Sequence, residues 1–181
     1  MPKKAEEGME VLEGQPCPMC MKKTLNLVEY KKDIPFFGPT FFFSMDCKSC
    51  GYHKADLEAE EKKEPVKYSF EIENEDDLKV RVVKSASATI KVPYIGEISG
   101  GEASNGYVTN IEGVLNRLKK ITEEIKENSE DKAEQTKAKN ILKKIGRIMW
   151  GRDKAKLIIE DPAGNSAIIS EKAKKEKPKA K

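Results

Sequence analysis

The chain has 181 residues, with 34 lysines and arginines against 31 aspartates and glutamates, a net charge of +3. That length gives room for one ordinary domain plus a small module. The near balance of charge argues against a strongly basic nucleic-acid binder. No stretch approaches the ~18 apolar residues of a membrane span, so a soluble, reducing, cytoplasmic setting is expected.

Residues 1–14 are polar, without an apolar leader, and read as a disordered N-terminus. Two matched pairs follow, Cys17-Pro18-Met19-Cys20 and Cys47-Lys48-Ser49-Cys50-Gly51, which use every cysteine of the chain. Two such pairs, folded together, supply the tetrahedral thiolate set of a structural Zn²⁺. Gly51 offers the positive φ that a tight knuckle requires. Two disulfides would suit a secreted chain, and a redox Cys-x-x-Cys normally occurs once, opening a helix. The doubled motif with Pro18 and Gly51 favours zinc, and four sulfurs would leave the metal no open position for catalysis. The 26 residues from Met21 to Asp46 are long for such a site, so a hairpin is expected inside them.

Within that loop, 24–30 alternates as a strand, 34–39 reads as a turn, and 40–46 returns as a strand with three consecutive phenylalanines. Tyr52–Leu57 would complete a β module spanning 15–60, and 58–65 reads as a charged linker. Short β segments then recur at Val66–Ile72, Leu78–Lys84, Ala88–Val92 and Tyr94–Ile98, a sandwich or barrel pattern. After the loop 100–106, helical spacing brings Ile111, Val114, Leu115, Leu118, Ile121 and Ile125 to one face. Thr109-Asn110-Ile111-Glu112 fits a capping box at the start of that helix. A second amphipathic helix over 131–150 makes a helical hairpin at 110–150. Strands at 156–160 and 166–170, joined by a turn at 161–165, close a domain of 61–170. The tail 171–181 holds six lysines and reads as disordered.

Several blocks, in this order, resemble the ZPR-type zinc-finger proteins, in their single-module, archaeal-like form. They are the two cysteine pairs, Asp77-Leu78-x-Val80-Arg81-Val82-Val83-Lys84-Ser85, and Ala88-Thr89-Ile90-x-Val92-Pro93. Two more follow, Gly106-Tyr107-Val108-Thr109-Asn110-Ile111-Glu112-Gly113-Val114-Leu115 and Ile159-Glu160-Asp161-Pro162-Ala163-Gly164-Asn165-Ser166. The resemblance covers about residues 14–170. It implies an α+β chain, mainly β: a four-cysteine zinc ribbon, then a double-stranded β-helix (jelly-roll-like) domain with a helical-hairpin insertion. It implies one structural Zn²⁺ on Cys17, Cys20, Cys47 and Cys50. It also implies binding to translation elongation factor 1-alpha, as a chaperone or assembly factor. Asn110 stands where the family often has a second threonine.

An enzyme is not expected. His53 is the only histidine, so a two-histidine, one-carboxylate metal site cannot be built, and a histidine-activated nucleophile would need His53 beside the knuckle. At least two of Phe41, Phe42 and Phe43 are expected in the core, with Phe41 and Phe43 on one face and Phe42 on the other. Phe36 and Phe37, framed by prolines, are candidates for an exposed partner-binding tip. Thr109, Glu112, Asp161 and Asn165 are candidates for a polar partner surface, against cap and turn roles. The alternative function is a zinc-ribbon nucleic-acid binder, with RNA contact through the lysine-rich tail and Lys22, Lys23, Lys31, Lys32, Lys48 and Lys54.

Overall fold

Period-2 patterning organises most of this chain into strands. The structure, a computed structural model, describes residues 8–35, 37–60, 63–101 and 103–178. The first four strands, β1 (Met9–Pro16), β2 (Lys23–Ile34), β3 (Gly38–Cys47) and β4 (His53–Ala59), form one antiparallel sheet in that order. The long hairpin of β2 and β3 places Leu25 opposite Cys47 and Tyr30 opposite Phe42.

The expectation of disorder over 1–14 is corrected for its second half. β1 pairs with β2 from Met9 opposite Tyr30 to Pro16 opposite Lys23, with an irregularity between Leu12 and Gln15. Main-chain hydrogen bonds supply this pairing, so the polar, exposed side chains of the segment do not prevent it. Residues 1–7 lie outside the described ones.

The rest of the chain builds two further sheets and a helical pair. One sheet has the order β12 (Lys174–Glu176), β5 (Val66–Ile72), β10 (Ala155–Asp161), β7 (Thr89–Val92), β8 (Gly96–Ile98). The other has the order β11 (Ala167–Ile169), β6 (Arg81–Lys84), β9 (Tyr107–Asn110). Helices α1 (Ile111–Asn128) and α2 (Lys132–Met149) form an antiparallel hairpin between β9 and β10. Phe70, Ile90, Leu157 and Ile159 from the larger sheet join Val82, Ile168, Leu115 and Ile148 in one buried cluster. Burying side chains of this size contributes about 1.5–3 kcal/mol each.

Local polar chemistry redraws several expected boundaries. The segment 78–84 begins as a 3-10 turn, Asp76–Lys79, because the Asn74 side chain accepts from the Asp77 N–H and Asp77 accepts from the Glu73 N–H. Tyr94 takes φ 64° in a turn, so β8 starts only at Gly96. Asn110, not Thr109, is the N-cap of α1: its side chain accepts from the Gly113 N–H at 2.8 Å, while Thr109 still belongs to β9. The helix phase is also rotated from the expected one. Thr122 is buried, donating to the Leu118 carbonyl, whereas Ile121 and Ile125 are 42% and 46% exposed.

The tail is likewise ordered, contrary to expectation, through Glu176. β12 adds to the edge of β5, pairing Lys174 with Ser69 and Glu176 with Lys67. Lys172 and Lys177 form ion pairs with Asp77 and Glu64 at 3.0 Å, and Lys175 lies over the Tyr68 ring. These contacts commit three of the six tail lysines within the fold, which weakens the case for a free RNA-binding end.

Burial raises the Asp77 carboxyl, but the Glu73 N–H and the Lys172 ammonium outweigh it, so its pKa falls below the ordinary 3.8. Asp77→Asn should therefore cost about 2 kcal/mol near neutral pH, as expected for hydrogen bonds to a buried charged group. A depressed carboxyl pKa stabilises the fold above the unfolded value and loses that contribution as pH falls through the folded one. Denaturant titrations should show the difference between variant and parent closing below about pH 3.8.

Candidate metal centre

The two knuckles are built alike. After Cys17, the Met21 N–H donates to the Cys17 carbonyl at 2.9 Å; after Cys47, the Gly51 N–H donates to the Cys47 carbonyl at 3.0 Å. The Cys17 N–H donates to Lys22 O, and the Cys47 N–H to Tyr52 O, so each hairpin closes behind its second cysteine. Both turns need a left-handed residue four positions after the first cysteine. Gly51 takes φ 72° there and Met21 takes φ 59°. The glycine was legible as a turn residue; the methionine was not, because side-chain identity alone gives no hint of αL. Alignment of the two knuckles by their cysteines would have revealed it.

The β2–β3 register brings the knuckles together. Cys17 and Cys50 sulfurs are 3.7 Å apart, as are those of Cys20 and Cys47, and all four lie within 4.8 Å of one another. A tetrahedral zinc with bonds of about 2.3 Å has sulfur–sulfur edges of roughly 3.8 Å. A disulfide needs about 2.05 Å, so the cross-pairs are too far apart to be bonded. The donor set fits a single metal ion. Cys17 and Cys47 are buried among Leu25, Leu27, Met45 and Tyr52, while Cys50 is exposed.

The thiols differ sharply in proton affinity. The Thr24 hydroxyl, 3.3 Å from the Cys47 sulfur, leads the contacts that lower that thiol to about 6. At Cys50 the Tyr52 N–H pulls downward, yet partial desolvation and hydrogen bonding to the sulfurs of Cys47, Cys20 and Cys17 push it up to about 12. Four adjacent thiolates repel one another, and a divalent cation supplies the charge that lets all of them ionise. Thr24, which the sequence did not single out, also accepts from the Lys48 N–H through its carbonyl and so links the two knuckles. His53 takes no part in the sulfur cluster: its Nδ1 is 2.6 Å from Asp46 Oδ1.

The other candidate residues fare differently. Phe36 lies outside the described residues. Phe37 is half-buried rather than a free tip, packed on Ile34, Leu57 and Val83 with the Lys63 ammonium 3.7 Å from its ring centroid. Among the three consecutive phenylalanines, only Phe42 joins a core cluster, stacked on Tyr30 at 4.9 Å. Phe41 and Phe43 stack on each other at 6.5 Å and stay half-buried, correcting the expectation of two core phenylalanines.

Asp161 and Asn165 do not form a polar surface with Thr109 and Glu112; both are enclosed. Asp161 accepts from the hydroxyls of Ser85, Ser87 and Ser166 at 2.6–2.8 Å and from the Ala163 N–H. Asn165 accepts from the Ala59 N–H across the junction between the first sheet and the rest. Glu112 is exposed in the first turn of α1, and Thr109 is half-buried before it. Sequence reasoning missed Lys84, fully enclosed, whose ammonium donates to Ser104 Oγ at 2.8 Å and Ser85 O at 3.0 Å.

Two tests follow from the geometry. Zinc-loaded protein should contain one metal per chain, and chelation should remove about 10 kcal/mol of support from the knuckles. Hydrogen exchange should then show lost protection around Thr24 and Lys48 while β5 and β10, held by their own core, stay protected; unchanged protection would refute the assignment. Met21→Gly should raise stability by about 1 kcal/mol, because αL backbone strains a residue with a Cβ. A fall in midpoint denaturant concentration would count against that strain.

The family model described as the ZPR1 jelly-roll domain matches residues 76–181. A ZPR1-like protein of Methanocaldococcus jannaschii is 39% identical over 170 residues, 93% of this chain and 86% of its own length. A ZPR1-like protein of Pyrococcus horikoshii is 37% identical over 179 residues, 96% of this chain and 80% of its own. The zinc finger chaperone zpr1 of Schizosaccharomyces pombe is 32% identical over 142 residues, 75% of this chain but only 30% of its own. Together with the four convergent sulfurs, these likenesses support one structural Zn²⁺. A four-cysteine site ahead of a matched jelly-roll domain, with such relatives, places the chain in the ZPR1 family of zinc-finger proteins.

Proposed function

We propose that this chain is a non-enzymatic, cytoplasmic protein that binds translation elongation factor 1-alpha and assists its folding or biogenesis. Cys17, Cys20, Cys47 and Cys50 hold the zinc, and the metal keeps the first sheet rigid. The observation that carries the reading is the likeness to a relative named a zinc finger chaperone, over three-quarters of this chain. That relative is more than three times as long as the matched segment, so its activity is transferred here as a proposal only.

A rigid sheet supports such a role because docking then costs little ordering entropy. The first sheet ends in two exposed methionines, Met19 and Met21, 69% and 76% accessible on the first knuckle. The half-buried Phe37, and Thr109 with Glu112 at the start of α1, are further contact candidates. Among the described residues, no helix is long and apolar enough to cross a membrane.

Purified, zinc-loaded protein should co-elute with elongation factor 1-alpha in the GDP- or GTP-loaded form and raise its yield on dilution from denaturant. Absence of complex in both nucleotide states, with zinc content and fold intact, would refute the partner and leave the zinc-binding assignment standing.

A further inference from the structure

A cleft of about 650 Å³ opens between α1 and the loop following β8, remote in sequence from the zinc knuckles. Its wall carries Tyr107 at the start of β9, and Arg117 and Lys120 from successive turns of α1. The Arg117 guanidinium lies 4.0 Å from the centroid of the Tyr107 ring. The Tyr107 hydroxyl is buried and has no hydrogen-bond partner among the described residues. Arg117 and Lys120 have no ion pair among the described residues either; the ion pair formed within α1 is Lys119 with Glu123. Folded proteins rarely leave a buried hydroxyl unsatisfied.

All three groups are donors. Burial raises the Tyr107 pKa, which keeps the phenol protonated and able to donate. The missing element is therefore an acceptor carrying negative charge. Among the described lining residues, Glu124 offsets one of the two cations, leaving one net positive charge. That balance suits a carboxylate better than a phosphate, which carries about −1.5 to −2 at pH 7. Beside the donors the wall is apolar: Ile98 and Ile121 line it, and Ile125 continues the exposed stripe one turn further along α1. A carboxylate fixed by Arg117 and Tyr107 would thus sit next to a surface that takes aliphatic side chains. Charge-assisted hydrogen bonds of this kind are about twice as strong as neutral ones.

We infer that this cleft docks an extended acidic and apolar peptide segment of a partner protein, with one Asp or Glu carboxylate received by Arg117, Lys120 and the Tyr107 hydroxyl. The inference is independent of the identity of the partner proposed above, because it rests on the donors and apolar wall of this domain alone.

The test is an array of decapeptides, each carrying one central Asp or Glu among varied apolar residues and each matched by its Asn or Gln counterpart. The array is probed with the zinc-loaded full chain. The strongest binder is then measured in solution by fluorescence anisotropy. Binding should favour the carboxylate member, and Arg117→Gln and Tyr107→Phe should each weaken it about tenfold, the loss expected for one charge-assisted hydrogen bond. Tyr107→Phe should leave Tm unchanged or raised, since it removes an unsatisfied buried hydroxyl without removing the ring. A lowered Tm would show that the hydroxyl already has a partner within the fold and would overturn the proposal. So would an array without binders, equal binding of carboxylate and amide members, or displacement of the peptide by inorganic phosphate at constant ionic strength.

Discussion

Four sulfurs from two turns 26 residues apart must meet within a tetrahedron, and the register of one hairpin decides whether they do. Leu25 opposite Cys47 sets that register, and a slip of one residue would turn every side chain of β2 to the other face. The sulfur separations of 3.7 Å match the edges of a zinc–thiolate tetrahedron, so fold and metal demand the same geometry. Without a cation, four ionised thiolates this close would repel one another. Metal binding would therefore contribute directly to the stability of the two knuckles.

The sheet fixed in this way does not stand apart from the jelly-roll domain. Its outer strand, β4, would present an open edge, a known route to unwanted pairing. That edge is covered. The Ala55 N–H donates to Asn105 Oδ1, the Gly106 N–H donates to Ala55 O, and the Ala59 N–H donates to Asn165 Oδ1. Asp56 accepts from the Ala86 and Leu57 N–H groups at 2.7 and 2.8 Å. Gly106 is required at this contact, since a Cβ there would come within 2.5 Å of Asp56 Oδ1 and 2.9 Å of Leu57 N. Beneath the seam, Leu57 and Ile34 pack with Val83, so apolar burial and hydrogen bonding hold the same junction.

This junction explains several polar residues for which a direct partner role was plausible. Asn165 closes an edge, Asp161 gathers three serine hydroxyls, and Lys84 is solvated by protein oxygens with Asp56 and Asp161 offsetting its burial. Buried charged groups are tolerable when their hydrogen-bonding capacity is met in this way. Accessible elsewhere among the described residues are the methionine-bearing knuckle and the cationic, tyrosine-lined cleft beside α1.

Several features were legible in the sequence because they depend on local spacing. The paired cysteines, the alternation that gives β2, β5 and β10, the helical hairpin and the αL demand at Gly51 all follow from neighbours in the chain. Long-range contacts decided the rest. Residues 9–14 and 174–176 look unstructured alone, yet each becomes a strand because another strand offers its backbone. The α1 spacing was compatible with more than one buried face, and packing chose Thr122 over Ile121. Asp161 and Asn165 looked like surface polar groups because a sequence does not say whether partners such as Ser85 and Ala59, distant in the chain, will close over them. Ligand chemistry and strand-forming segments could be read from the chain, since those depend on residue type and period. Which polar groups are enclosed, and which cations among the described residues lack an ion pair, came from the assembled fold, since burial and pairing are properties of assembled surfaces.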